Sequence, residues 1–438
     1  MLVNSKIFSL NRLTNNLFCF LPISFIIGSF IVTINLYLFL IISLFYIYKK
    51  KYKFNLGHTN IILISFFLLI IISSLINIDS IKYIFFIKSI LLFRFAILYL
   101  IVETLIINDQ LNLRKFFVVS LLGTTFLSFD IIVQYIFGYD LFGYEPWQGR
   151  LTGFLYTEAI AGSYIQKFSL FSFFGFLLFY KKQIYKKELL FSIILLHAMG
   201  IFLASNRISV ATFVLGLAIL LFFDKKNKSI IIYSLLAFFT ISTILVNVDN
   251  NLKNKYVNLF ARLGGNIKSV ENKVSLTKES NKKNKIISFN ESFLHAKIYL
   301  TTIETWKNNP VIGGGHKSFR TECTNILKSK KYITCSTHPH NYHLEILQDA
   351  GLIGFFIIGS FIFILLFLVL KKIKNKKFTY SKYSMYFFPI IISMLVEIWP
   401  IKSTGSLFST INGTSVWLTI ALCSIVKVKI DRNKFNIG

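Results

Sequence analysis

The stretch "AGLIGFFIIGSFIFILLFLVL", residues 350–370, carries neither a charge nor a proline. At 1.5 Å of rise per residue, a helix of this length spans roughly 30 Å, the hydrocarbon thickness of a bilayer. It predicts a membrane-crossing helix, because in hydrocarbon a helix satisfies its own backbone groups. Lys371, Lys372 and Lys374 follow immediately. Eleven more apolar segments lie outward from it, at about 14–32, 34–48, 60–77, 84–107, 116–137, 159–180, 189–205, 208–223, 229–247, 384–400 and 412–426. The chain is 54% hydrophobic and 17% aromatic over 438 residues. The expected fold is an all-α, polytopic transmembrane bundle of about 12 spans.

The first two segments are separated by inference. No charge occurs between Leu13 and Tyr48, and one helix of that length would far exceed a bilayer. A tight hairpin is therefore expected near Thr33 to Asn35. No small-residue cleavage site follows, so the first helix reads as retained.

The formal charge of +29 invites a nucleic-acid reading. The lysines, however, fall in short clusters between apolar runs rather than along one basic stripe, which argues against nucleic acid. With the N-terminus inside, the inner segments hold 25 Lys and Arg, against Lys82, Arg150, Arg207 and Lys402 on the short outer loops. That bias predicts a multi-pass protein with both termini cytoplasmic. Three parts follow: an N-terminal membrane part (1–247, about nine spans), a large outer loop (248–349), and a C-terminal membrane part with a cytoplasmic tail (350–438).

Residues 248–290 of the loop are rich in Asn, Lys and Ser and show no apolar period. From Ser292 onward, Phe293, Ala296, Tyr299, Leu300, Ile303 and Trp306 form an apolar stripe at helical spacing, predicting an amphipathic helix on the membrane surface or the bundle top. Asn308, Asn309 and Pro310 end it and Gly313, Gly314 and Gly315 make a turn. "GGGHKS" is not a phosphate loop, since His316 separates Gly from Lys; its amides are a weak candidate for an anion. Cys323 and Cys335 share the loop, where an oxidising compartment favours a disulfide. Cys19 and Cys423 sit in spans as packing residues.

The loop ends in "HPHNYHLEILQDAGLIG", residues 338–354. His340 and Asn341, followed at fixed spacing by Gly351 and Gly354 before a late membrane helix, resemble the signature of the bacterial O-antigen ligase and O-antigen polymerase superfamily. Three other stretches are similar to family segments: 137–165 with Arg150 and Glu158, "LASNRIS" at 203–209 with Arg207, and 299–319 around the Gly-rich turn. Together they cover about residues 90–410.

The resemblance implies a glycosyltransferase of the bacterial inner membrane with a periplasmic active site, no cofactor and no metal. Its donor would be an undecaprenyl-diphosphate-linked glycan, and its acceptor the lipid A core or another glycan. His340 would be the catalytic base, with Arg207, Arg150 and His295 binding the donor diphosphate and Asn341, Gly351 and Gly354 supporting them; Arg94 and Lys88, costly inside a span, read apart from the resemblance as a further donor-binding cation and its support. Many relatives carry an arginine at the position of His295, so one cation of the clamp is replaced. Polymerase or protein O-glycosyltransferase activity is the alternative within the superfamily.

Elementary chemistry points the same way. A lipid diphosphate keeps its tail in the bilayer and its sugar in water, so the reacting bond lies at the surface. Histidine titrates near the pH at which a hydroxyl must be deprotonated, and arginine offers a permanent fork to phosphate oxygens. Duller readings compete. Asn341 is the more usual helix cap, Gly351 and Gly354 would let another helix approach, and Lys88 and Arg94 would pair in the membrane with Asp130 or Glu103. Glu397 and Asp130 read as structural ion pairs. His338, His340 and His343 could in principle bind metal, but neither an HExxH pattern nor a cysteine knuckle is present. The competing class is a lipid-linked-oligosaccharide flippase; transporters often show related halves, which this chain lacks.

Overall fold

The computed structural model describes residues 2–156, 158, 160–257, 294–327, 334–374 and 384–428. Its α-helices are α1 Leu2–Ile27, α2 Ser29–Lys50, α3 His58–Ile76, α4 Tyr83–Leu91, α5 Phe93–Ile107, α6 Leu113–Phe137, α7 Ala161–Phe179, α8 Lys186–Leu203, α9 Arg207–Phe223, α10 Lys228–Val248, α11 Asn250–Tyr256, α12 Leu294–Trp306, α13 Ser318–Leu327, α14 Tyr342–Ile373, α15 Ser384–Glu397 and α16 Thr410–Leu422. Among the described residues there is no strand, only an isolated bridge between Trp147 and Arg150. The apolar segments are helical over most of their described residues, though 14–32 is divided at Gly28 and 84–107 between α4 and α5. Six helices are long and apolar enough to cross a bilayer: α2, α3, α4 with α5, α6, α10 and α14. The basic, polar stretch 258–293 lies outside the described residues, and Phe293 with it.

The first hairpin turns at Gly28, not at Thr33 to Asn35. Gly28 has φ 128°, a conformation open to glycine and strained for other residues. Thr33 instead stays helical, its hydroxyl bonding the Ser29 carbonyl at 2.9 Å. Phe18 packs on Phe39 at 6.0 Å and the Asn35 amide donates to the Leu17 carbonyl at 3.1 Å, so the two helices run antiparallel about Gly28.

The bundle is packed through aromatic rings. Trp417 on α16 is 1% exposed and meets Phe67 at 4.9 Å and Phe95 at 6.2 Å, joining α3, α5 and α16. Buried charge is paired inside this apolar mass, as the cost of an isolated ion requires. Glu397 meets Lys402 at 2.7 Å and Lys167 at 3.3 Å and accepts from the Tyr342 hydroxyl at 3.0 Å, fulfilling its reading as an ion pair. Glu103 meets Lys427 at 2.7 Å and Asn60, rather than Lys88 or Arg94. Asp130 is structural without being an ion pair: it accepts backbone N–H bonds from Leu141 at 2.9 Å and Phe154 at 2.7 Å. Gln134, one turn on, accepts from Thr152 and Gly153. Together they fold the loop after α6 back onto its own helix.

α14 is broken at Gly351 (φ 63°, ψ −166°), and the turn after α12 fills the gap. Leu352 N–H donates to the Pro310 carbonyl at 3.0 Å and Ile353 N–H to that of Val311 at 3.1 Å. In return Gly314 and Gly315 donate to the carbonyls of Gln348 at 2.9 Å and Asp349 at 3.1 Å. A Cβ on Gly351 would strike the Val311 carbonyl. Gly351 thus admits a turn, not a helix, whereas Gly354 faces Phe66 and Leu69 of α3. The amides of Gly313, Gly314 and Gly315 are spent on backbone carbonyls, so this turn is no anion cradle.

α12 also differs from expectation. Its buried face is Ile298, Thr301, Thr302 and Thr305, while Ile303 of the predicted stripe is 37% exposed. The threonine hydroxyls make this possible, since three of them bond carbonyls one turn back within the helix and Thr305 also bonds Gln348 on α14 at 2.8 Å.

Candidate active site

His340 has φ 58°, unusual for a residue with a side chain. It is locked there by Thr404 on both sides. Thr404 N–H donates to the His340 carbonyl at 2.9 Å, and the Thr404 carbonyl lies 3.2 Å from His340 Nδ1. A carbonyl oxygen only accepts, so Nδ1 carries the proton. Nε2 keeps its lone pair and receives the Ser336 hydroxyl at 3.0 Å. Burial, then the neighbouring His295, hold the imidazole below its ordinary pKa, against the opposing Thr404 bond. The group is held toward a neutral imidazole whose Nε2 accepts from Ser336.

Asn341 does cap α14: its Oδ1 accepts from His343 N–H at 3.0 Å and Leu344 N–H at 3.1 Å. Its amide donates to the Pro400 carbonyl at 2.7 Å, so one residue starts the helix and ties it to the α15–α16 connection. Tyr299 on α12 donates to the His340 carbonyl at 3.5 Å. Cys323 and Cys335 are disulfide-bonded, fastening α13 to the chain just before His338. His343 turns elsewhere and donates to the Ile398 carbonyl at 3.0 Å. The His338 ring lies 4.0 Å from that of His340, and burial, then His340, push it down to about 4.

The predicted cations fall into two groups, one around His295 and one around His316. In the first, His295 lies 5.2 Å from His340, ring to ring. Its pKa is lowered first by the surrounding protein and then by the charge of Arg207. Arg207 is the first residue of α9, after the Asn206 cap. Lys255 bonds Gly149 at 2.5 Å and Ser205 at 3.2 Å, and after burial the charge of Arg150 lowers its pKa. Arg150, Lys255, Arg207 and His295 thus share one region, and Lys255 is a member that sequence reasoning missed. Its sole signal was a lysine near the start of a long loop.

The second group holds Lys88 and Arg94. Neither has an acidic partner among the described residues. Lys88 sits 6.0 Å from the Phe85 ring centre, and Arg94 covers Phe95 at 4.8 Å and bonds the Tyr37 hydroxyl at 3.3 Å. His316, 1% exposed, is pushed down to about 3 by burial and then by Lys317, Lys88, Arg94 and Arg320. Lys317 and Arg320, also missed, follow the glycine turn as a basic i, i+3 pair.

Two cavities are lined by these histidines, and a further one adjoins the first of them. One of about 290 Å³ is lined by Lys317, Arg320, His338, Glu345 and Asp349 among others. A second, of about 380 Å³, shares Ser409 and Asn412 with it and includes Lys167 and Tyr164. The third, about 200 Å³, is almost wholly apolar and lies beneath His343, between Phe355, Ile358 and Trp417. Among the described residues, no three His, Cys, Asp or Glu side chains converge to hold a metal.

Residues 190–359 match the family model described as O-antigen ligase. The match supports the O-antigen ligase superfamily for this part of the chain. That match contains Arg207, His295, Cys323, Cys335, His340, Asn341, Gly351 and Gly354, while Lys88, Arg94 and Arg150 fall outside it. It is narrower than the span of about 90–410 suggested by the sequence motifs. No curated protein matches the chain. The matched stretch is similar to membrane glycosyltransferases of the ligase and polymerase type.

Proposed function

We propose that this protein is an O-antigen ligase. It moves a glycan from undecaprenyl diphosphate to a sugar hydroxyl of the lipid A core on the periplasmic face of the bacterial inner membrane. The carrying observation is the unprotonated Nε2 of His340, fixed by the Thr404 carbonyl, with Arg207 acting on the same cluster through His295.

In this reading the acceptor hydroxyl takes the place of Ser336 at Nε2 and gives its proton to His340. Its oxygen attacks the anomeric carbon as the bond from that carbon to the diphosphate oxygen breaks. The electron pair leaves with the polyprenyl diphosphate, whose growing charge Arg207, assisted by Arg150, stabilises. A single displacement inverts the anomeric centre. His295 stays neutral near pH 7 and supplies a hydrogen bond rather than a charge. Arg94, in the second group, supports the site at a distance. The apolar cavity below His343 suits the first isoprene units of the donor.

The topology that accompanies this function has twelve crossings, both termini in the cytoplasm and residues 248–349 in the periplasm, between membrane parts 1–247 and 350–438. A ligase-null host complemented with the gene, and with His340→Ala, tests the reading on a lipopolysaccharide gel. Long-chain product from the wild type alone is expected. Rescue of a polymerase-null host instead would reassign the protein to the polymerase branch.

A further inference from the structure

Phe85 is ringed by positive charge. Lys317 Nζ lies 5.6 Å from its ring centre, the Arg320 guanidinium 5.9 Å and Lys88 Nζ 6.0 Å. They come from two distant parts of the chain: α4, and the i, i+3 pair that follows the glycine turn. No salt bridge neutralises any of them among the described residues. Scattered surface lysines need no explanation, but three cations folded onto one ring repel one another, and the π face offsets only part of that. Lys317 is pulled down by burial and then by Lys88 and Arg320, against the opposing pull of Asp349 and Glu345.

Lys317 and Arg320 also line the 290 Å³ cavity, whose opposite wall is His338. Glu345 and Asp349 line it too, and both draw Lys317 toward its charged form. Glu345 accepts from the Ser406 hydroxyl at 2.5 Å and Leu407 N–H at 2.6 Å, and Asp349 from Lys317 N–H at 3.2 Å. The cavity presents Lys317 and Arg320 together with His338, whose ring lies against His340, and Arg207 is not among its lining residues.

We propose that Lys317, Arg320 and Lys88 form a binding site for an anionic group, phosphate or carboxylate, carried by the acceptor glycan. The acceptor assignment rests on the transferase reading: the donor diphosphate occupies the Arg207 side, and an acceptor must reach the same Nε2 from elsewhere. The existence of the anion site does not depend on it.

The test is calorimetric titration of the full-length protein in phosphatidylcholine nanodiscs. The probes are glucose 6-phosphate, with glucose as neutral control, and farnesyl diphosphate. Glucose 6-phosphate is expected to bind more tightly than glucose, and Lys317→Gln with Arg320→Gln to weaken it by about tenfold or more. Arg207→Gln should leave that affinity nearly unchanged and weaken farnesyl diphosphate instead. Lys317→Arg should retain binding, separating lost charge from lost fold. Equal affinity for glucose and its phosphate overturns the site, as does loss of sugar-phosphate binding on Arg207→Gln alone. Loss of farnesyl diphosphate binding in the double variant overturns the acceptor assignment. Sugar-phosphate binding by a protein that transfers no glycan leaves the site standing and removes the transferase reading.

Discussion

His340 does its proposed work because a single backbone group determines its tautomer. The Thr404 carbonyl can only accept, so Nδ1–H is committed and Nε2 is the basic atom. His340→Ala is expected to lower transfer by about 10² to 10⁴, the usual contribution of a positioned base, measured as glycan product per minute from purified protein. Ser336→Ala should stay within about threefold of wild type on the same scale, since the serine only occupies the acceptor's place. The pH profile has a definite sign. A base works deprotonated, and the His340 pKa lies below the ordinary imidazole value. Activity should therefore be level through neutrality and fall only on acidification below that ordinary value. His295→Arg places a full charge beside His340, disfavours its protonated form and should move the acidic limb to still lower pH. A limb moving upward would contradict this electrostatic account.

At the scale of elements, the joint between α14 and the glycine turn holds the site in register with the membrane. Gly351→Ala forces a Cβ into the Val311 carbonyl at a positive φ and is expected to cost about 2 kcal/mol or more. Gly359→Ala, in the same helix with open space around it, should be neutral or slightly stabilising. Comparing the two melting temperatures in detergent checks the argument. The disulfide should matter similarly: replacing Cys323 and Cys335 with serine removes a short closed loop and should cost roughly 2–4 kcal/mol, seen as a lower melting temperature under non-reducing conditions.

For the whole molecule, the prediction concerns sidedness. Single cysteines introduced at Lys182 and at Val311, in a background with Cys323 and Cys335 changed to serine, should differ with a membrane-impermeant maleimide on spheroplasts. Val311, 55% exposed, should label from outside and Lys182 only after lysis. Equal labelling of both would remove the twelve-crossing topology.

What the linear sequence settled was whatever depends on local composition. Uncharged apolar runs specify helices, because hydrocarbon leaves the backbone no other partner. His340 with Asn341 was legible from a short spaced pattern, and the disulfide from two cysteines in one loop. The break at Gly28 was misplaced because an apolar run has no internal mark for its turn except a glycine that periodicity ignores. The buried face of α12 was misread since threonines bonded to their own helix pack like apolar residues. Only the tertiary structure decided which cations share a site. Lys88 and Arg94 part company with Arg207, while Lys317 and Arg320 join Lys88 across more than two hundred positions. Charge acts through space over several ångströms and leaves no trace in the spacing of residues that folding brings together from distant helices.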